Sequence, residues 1–163
     1  MYNYYICVKF IIERTVMLSK SSEYALRSIA FIAHKASVDN KIGIKDLAKE
    51  LELPTHYLGK ILQQLSKNKI IKSVKGPNGG FYLDENSKSI TLIAVIEVIE
   101  GLDFFHSCGL GLKQCSDDHP CVLHDDLKVY RNGLRELFST KTISDLVLKL
   151  EGGGAFVRNL GKV

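Results

Sequence analysis

Apolar positions along this chain change their period twice, and the changes mark off helical and extended stretches. Over residues 19–36, Leu26, Ile29, Ala30 and Ala33 recur at helical spacing and predict a first helix. Ser37-Val38-Asp39-Asn40 breaks it. A short second helix is predicted over 44–51, with Leu47, Ala48 and Leu51 inward. A third follows Pro54, since proline is tolerated only in a helix's first turn. It covers about 55–68 with the stripe Leu58, Ile61, Leu62 and Leu65. Then the pattern turns β-like over 70–75, breaks at Gly76-Pro77-Asn78-Gly79-Gly80, and resumes over 81–83, which predicts a hairpin.

Thr91 reads as the cap of a fourth helix that carries Leu92, Val95, Ile96 and Ile99 and stops at Gly101. Residues 102–120 show no periodicity. A long helix is expected over 122–138, where Leu123, Leu127, Tyr130, Leu134 and Leu137 step by four, three, four and three, a heptad-like seam. Thr142-Ile143-Ser144-Asp145 is a capping-box variant that opens a last short helix. The expected fold class is mainly α with a small β-hairpin wing: a winged helix-turn-helix plus a long dimerisation helix. The expected division is an N-terminal extension over 1–16, a DNA-binding domain over 17–88, a helix, cysteine loop and dimerisation helix over 89–150, and a flexible tail over 151–163.

Composition narrows the class. A chain of 163 residues, 45% hydrophobic and 25% charged, can bury one core and is not a disordered chain. The net charge of +4 is uninformative, but its distribution is not. Residues 41–75 hold eight lysines against three acids, which leaves +5 and suggests a polyanionic partner. Residues 1–16 are apolar and aromatic, but Lys9 interrupts them and no small-residue cleavage site follows. The run is too short for a bilayer, which needs about 20 residues. Met17 is a plausible alternative start. The chain therefore reads as cytoplasmic with no membrane partner, where clustered thiols more often bind metal or do redox chemistry than form disulfides. Cys7 is isolated, whereas Cys108, Cys115 and Cys121 share one loop.

Two short helices followed by a hairpin define a winged helix-turn-helix, whose second helix enters the major groove. On a helical wheel of the third helix, His56, Lys60, Gln63 and Lys67 fall opposite the apolar stripe, and Tyr57 and Gln64 lie on its flanks. Lysine can donate to guanine, glutamine can pair with adenine, and lysines hold phosphates. Lys72, Lys75 and Gly76 belong to the wing, whose tip can approach a phosphate or the minor groove.

The residues now resemble a known family. Ser21-Ser22-Glu23-Tyr24-Ala25-Leu26-Arg27, Tyr57-Leu58-Gly59-Lys60-Ile61-Leu62-Gln63 and Val74-Lys75-Gly76-Pro77-Asn78-Gly79-Gly80-Phe81 look like the Rrf2 family of bacterial transcriptional regulators. The resemblance covers about residues 17–147. It implies a homodimer on a near-palindromic operator in double-stranded DNA, with the long helix pairing across the two-fold axis.

Cys108, Cys115 and Cys121 are spaced Cys-x6-Cys-x5-Cys, and His124 follows three residues later. Thiolates are the usual ligands of iron–sulfur clusters, and imidazole can replace one. The resemblance implies a 2Fe–2S or 4Fe–4S cluster on the three cysteines. Its fourth ligand would be His124, or an acid from the other subunit's first helix, here Glu23. Zinc accepts three cysteines and a histidine, but close Cys-x2–4-Cys knuckles are absent. A cluster-free repressor that responds to thiol oxidation or a protein partner is the alternative. His106 and His119 read as solvated, Asp117 and Asp118 as loop solvation, and Asp125 and Asp126 as complements to the long helix's dipole. No nucleophile elbow or phosphate-binding glycine motif occurs, so the chain does not read as an enzyme.

Overall fold

The computed structural model describes residues 18–158. The N-terminal run, Cys7 and Met17 lie outside the described residues.

Helix α1 (Lys20–Lys35) begins where Ser19 Oγ accepts from the Ser22 amide at 3.1 Å, a side-chain cap for one of the first-turn donors. Its face bearing Ala25, Ile29, Ile32 and Ala33 is buried at the centre of the molecule. Helix α2 (Ile44–Leu51) ends when Glu52 enters the left-handed region at φ 54°, and Leu53 and Pro54 turn the chain into α3 (Thr55–Lys67). Leu47, Leu51, Leu58, Leu62 and Leu65 are buried to 0% exposure between α1, α2 and α3. Each buried side chain of this size contributes about 1.5–3 kcal/mol relative to exposure. At Gly59 a Cβ would come within 3.2 Å of Ile44 Cδ1, so the two helices of the reading pair meet closely here.

Strands β1 (Lys72–Val74) and β2 (Gly80–Tyr82) pair antiparallel, with Lys72 opposite Tyr82 and Val74 opposite Gly80. A bridge between Ile42 and Phe81 ties β2 to the chain just before α2. The turn needs its last two glycines. A Cβ at Gly79 would stand 2.2 Å from the Val74 carbonyl oxygen, and one at Gly80 would stand 2.7 Å from that of Ile42.

A single helical turn, α4 (Glu85–Lys88), follows the wing and is capped by Asp84. Helix α5 (Leu92–Glu100) runs from Thr91 to Gly101 and packs on α1 and α3. A 3-10 turn at Asp103–Phe105 leads into the cysteine loop. Helix α6 (His124–Thr140) packs on α5 and that turn. Helix α7 (Ile143–Glu151) carries the expected capping box, with Thr142 and Asp145 bonding each other's amides, and returns to α1. A second bridge, between Thr91 and Thr142, joins the start of α5 to the start of α7. Beyond α7, Val157 packs on the core and its carbonyl accepts from Arg27 Nε at 2.9 Å.

The seam on α6 divides. Leu134 packs on the core and Leu127 is half-buried, while Tyr130 is 72% and Leu137 48% exposed. Val122 and Val129 are also exposed, at 88% and 70%. Among the described residues no helix is long and apolar enough to cross a membrane.

Candidate DNA interface and cysteine centre

The reading helix presents its polar face as the wheel implies. His56, Lys60, Gln63 and Lys67 are exposed, and the buried stripe beneath them fixes the rotation of α3. The flanking residues are exposed too, and each also bonds a neighbouring helix. Tyr57 bonds Ser21 on α1 through its hydroxyl and meets Tyr24 edge-on, with centroids 5.8 Å apart. The Gln64 amide donates to the Val98 carbonyl on α5. On the wing, Lys75 and Gly76 are exposed at the tip, whereas Lys72 is half-buried and pairs with Asp84 at 3.2 Å. The Ser87 hydroxyl and amide, with Lys72 behind them, hold the Asp84 carboxyl below the usual range.

The cysteine loop folds onto the N-terminus of α6. The three sulfurs of Cys108, Cys115 and Cys121 lie within 4.8 Å of one another, and Cys108 and Cys121 are 3.6 Å apart. His124, the first residue of α6, adjoins this group, with Nδ1 3.2 Å from Cys115 Sγ. The ring is buried, at 7% exposure. Its Nε2 lies 2.8 Å from Asp117 Oδ1, and Lys128, one turn along α6, reaches the same oxygen at 2.7 Å. Lys128 first, and His124 next, hold the Asp117 carboxyl below its ordinary value. Asp117 is the site residue that the sequence reading placed in solvent. Arg131 ties the loop to α6 by donating to the Ser107 carbonyl at 2.9 Å.

Backbone N–H groups of Leu112 and Leu110 point at Cys108 and lower its thiol to about 7. The backbone of Cys121 lowers Cys115, but burial and the two neighbouring thiols outweigh it and raise Cys115 above the ordinary value. An open depression of about 430 Å³, lined by Leu112, Gln114, Cys115, His119 and Cys121, gives access to the group. Glu23 lies apart on α1, 2.6 Å from Lys20 and 3.8 Å from Arg27, and is not part of the sulfur group of its own chain.

The donor set suits a thiophilic metal group. Three sulfurs come from one loop, and a metal-ligating histidine typically donates its second ring nitrogen to a carboxylate, the place Asp117 takes here. Among the described residues this is the one cluster of metal-ligating side chains.

A buried trihelical core, an exposed basic reading helix and a hairpin wing define a winged helix-turn-helix DNA-binding regulator. Residues 18–149 match the Rrf2 family, described as iron-dependent transcriptional regulators, and this chain belongs to that family. A protein of Aquifex aeolicus described as an HTH-type transcriptional regulator is 31% identical over 134 residues, which cover 81% of this chain and 92% of the relative. The HTH-type transcriptional regulator NsrR of Geobacillus kaustophilus is 28% identical, covering 81% of this chain and 90% of the relative. The structure of CymR, the global cysteine regulator of B. subtilis, shares the fold with a TM-score of 0.64 at 23% identity, covering 81% of this chain and 96% of that one.

Proposed function

We propose that this chain is a homodimeric transcriptional regulator whose operator affinity is set by an iron–sulfur cluster held by Cys108, Cys115, Cys121 and His124. The observation that carries the reading is the convergence of three sulfurs and the buried His124 ring at the start of α6. When bound, the cluster supplies iron–sulfur bonds whose integrity depends on oxidant, nitric oxide or iron supply. The protein's part is to bring four donors together and to make that gathering felt elsewhere. Cys108, Cys115 and Cys121 gather the loop, and Asp117 fixes the imidazole so that Nδ1 faces the sulfurs. The orientation of His124 favours it over the partner subunit's Glu23 as fourth ligand.

The homodimer reading rests on α6, where Val129, Tyr130 and Leu137 are exposed, and on Val122 just before it, apolar side chains that pairing would take out of water. Pairing along it would set two reading helices for half-sites about one DNA turn apart, on a near-palindromic operator. Lys60 and Gln63 would read bases while Lys67, Lys72 and Lys75 hold phosphates. A chain that works on DNA in this way acts in the cytoplasm.

The test is anaerobic purification, an absorption spectrum and iron and sulfide assays, then operator titration with loaded and stripped protein. A coloured protein with matching iron and sulfide and unequal affinities supports the reading. A protein still colourless after reconstitution, or equal affinities, overturns it.

A second reading is favoured by one distance. Cys108 and Cys121 Sγ atoms 3.6 Å apart stand ready for oxidation. Hydrogen peroxide would take two electrons and two protons from the thiol pair, giving one disulfide and two waters. A mass loss of two hydrogens per chain, with altered operator affinity and no iron, would mark this cluster-free repressor.

A further inference from the structure

Gln64 follows Gln63 on the reading helix and is exposed like it, but its side chain is bonded to a neighbouring helix. The amide nitrogen donates to the main-chain oxygen of Val98 in the last turn of α5. The last four carbonyls of a helix have no donor within it, so this bond satisfies one of them. Two residues on, the Glu100 carboxylate accepts from Ser22 Oγ at 2.6 Å, and Ser22 is fully buried on α1. The final turn of α5 is thus bonded by side chains both to the scaffold helix and to the reading helix.

The same turn opens the sensing loop. Gly101 changes the chain's direction at φ 80°, and Phe105 is buried with its ring 6.2 Å from that of Phe138 on α6. Cys108 comes three residues after Phe105. Residues 101–108 thus run from the turn that Gln64 bonds to the first cysteine, anchored to the core by Phe105.

We propose that Gln64 is a positioning residue that couples the reading helix to the cysteine loop through the last turn of α5, and does not read a base. The coupling rests on the proposed sensor reading of that loop. It also divides labour along α3: Lys60 and Gln63 face outward, while Tyr57, bonded to Ser21 of α1, and Gln64, bonded to Val98 of α5, fix where they stand.

The test compares wild type, Gln64→Met, which keeps the volume and removes the donor, and Gln64→Lys, which restores a donor. Each is titrated against operator variants substituted at every position, in the stripped form and after reconstitution with iron and sulfide. The expected result is that loaded and stripped affinities differ by about fivefold or more, in either direction, in wild type, the usual scale of such coupling. The difference should vanish in Gln64→Met and recover in part in Gln64→Lys, with the base preferences of the stripped proteins unchanged. Amide exchange without DNA should show that loading alters protection over residues 55–67 in wild type but not in Gln64→Met.

A preference lost at one operator position would overturn the proposal and make Gln64 a base contact. A wild type that responds and a Gln64→Met that responds equally would sink the coupling alone. A wild type with equal affinities would sink the sensor reading and the coupling together.

Discussion

Asp117 accepts from the Nε2 side of His124 at 2.8 Å, and this leaves Nδ1 as the nitrogen that meets Cys115. The carboxylate so chooses the tautomer that can ligate. Replacing such a partner typically lowers metal affinity by about 10- to 100-fold. Asp117→Ala should release iron to a chelator at least tenfold faster than wild type, and His124→Ala should not assemble a stable coloured form. Iron retention and the absorption spectrum check both.

The exposed face of α3 and the wing should separate under salt titration. Lys67→Ala and Lys75→Ala are expected to weaken binding to all sequences and to reduce the salt slope by about one each. Lys60→Ala and Gln63→Ala should cost about 1–3 kcal/mol at one operator position each and relax preference there. Affinity measured at several salt concentrations on matched and substituted operators distinguishes the two classes.

Tyr130 and Val129 test the dimer. Both are largely exposed on α6, so neither substitution needs to open the core. Val129→Glu with Tyr130→Glu should shift sedimentation to the monomer while leaving helix content intact, and operator affinity should fall with the lost second half-site.

Gly80 tests the wing. A methyl group there meets the Ile42 carbonyl oxygen at 2.7 Å, a backbone atom that cannot swing away. Gly80→Ala should destabilise by about 1–3 kcal/mol, the usual scale of overpacking. Denaturant titration gives the magnitude, and the salt slope should show whether Lys75 still reaches its phosphate.

Asp145 gives a pH signature. The Thr142 backbone first, and its hydroxyl next, hold this carboxyl below its ordinary value of 3.8. A lowered carboxyl adds stability that is full above the unfolded pKa and disappears as pH falls through the folded one. Asp145→Asn should therefore have a lower urea midpoint than wild type at pH 6, and the gap should close below that range.

Much of this arrangement is local and therefore legible in the sequence. Ser19 and the Thr142–Asp145 pair mark helix starts by hydrogen bonds that act within three residues, Thr91 takes the N-cap position of α5 without a side-chain bond, and the glycines at 79 and 80 mark a turn that tolerates no side chain. Four-residue α4 and the turn at Asp103–Phe105 carry no periodicity to detect. Spacing shows the α6 seam but not its division, because Leu134 is claimed by the core, which includes Phe138, while Tyr130 is not. The sulfurs and His124 could be grouped from spacing, whereas Asp117 gains its role only when the loop folds back on α6. Gln64 and Val98 are 34 residues apart, and only packing of α5 on α3 reveals their bond.

The bridge between Thr91 and Thr142 has a consequence for how this architecture can diversify. Leu92 donates to Lys141 and Ile143 to Ile90, so the start of α5 and the start of α7 are clasped together. Between the clasped ends α5 stays in the core against α1 and α3, and the cysteine loop is the part that lies outward of it. Ligands can be added to or removed from the loop without unfastening that clasp, while the last turn of α5 still carries the change to the helix that meets DNA. One DNA-reading chassis can thereby be fitted with different chemical inputs, each exchanged as a cassette.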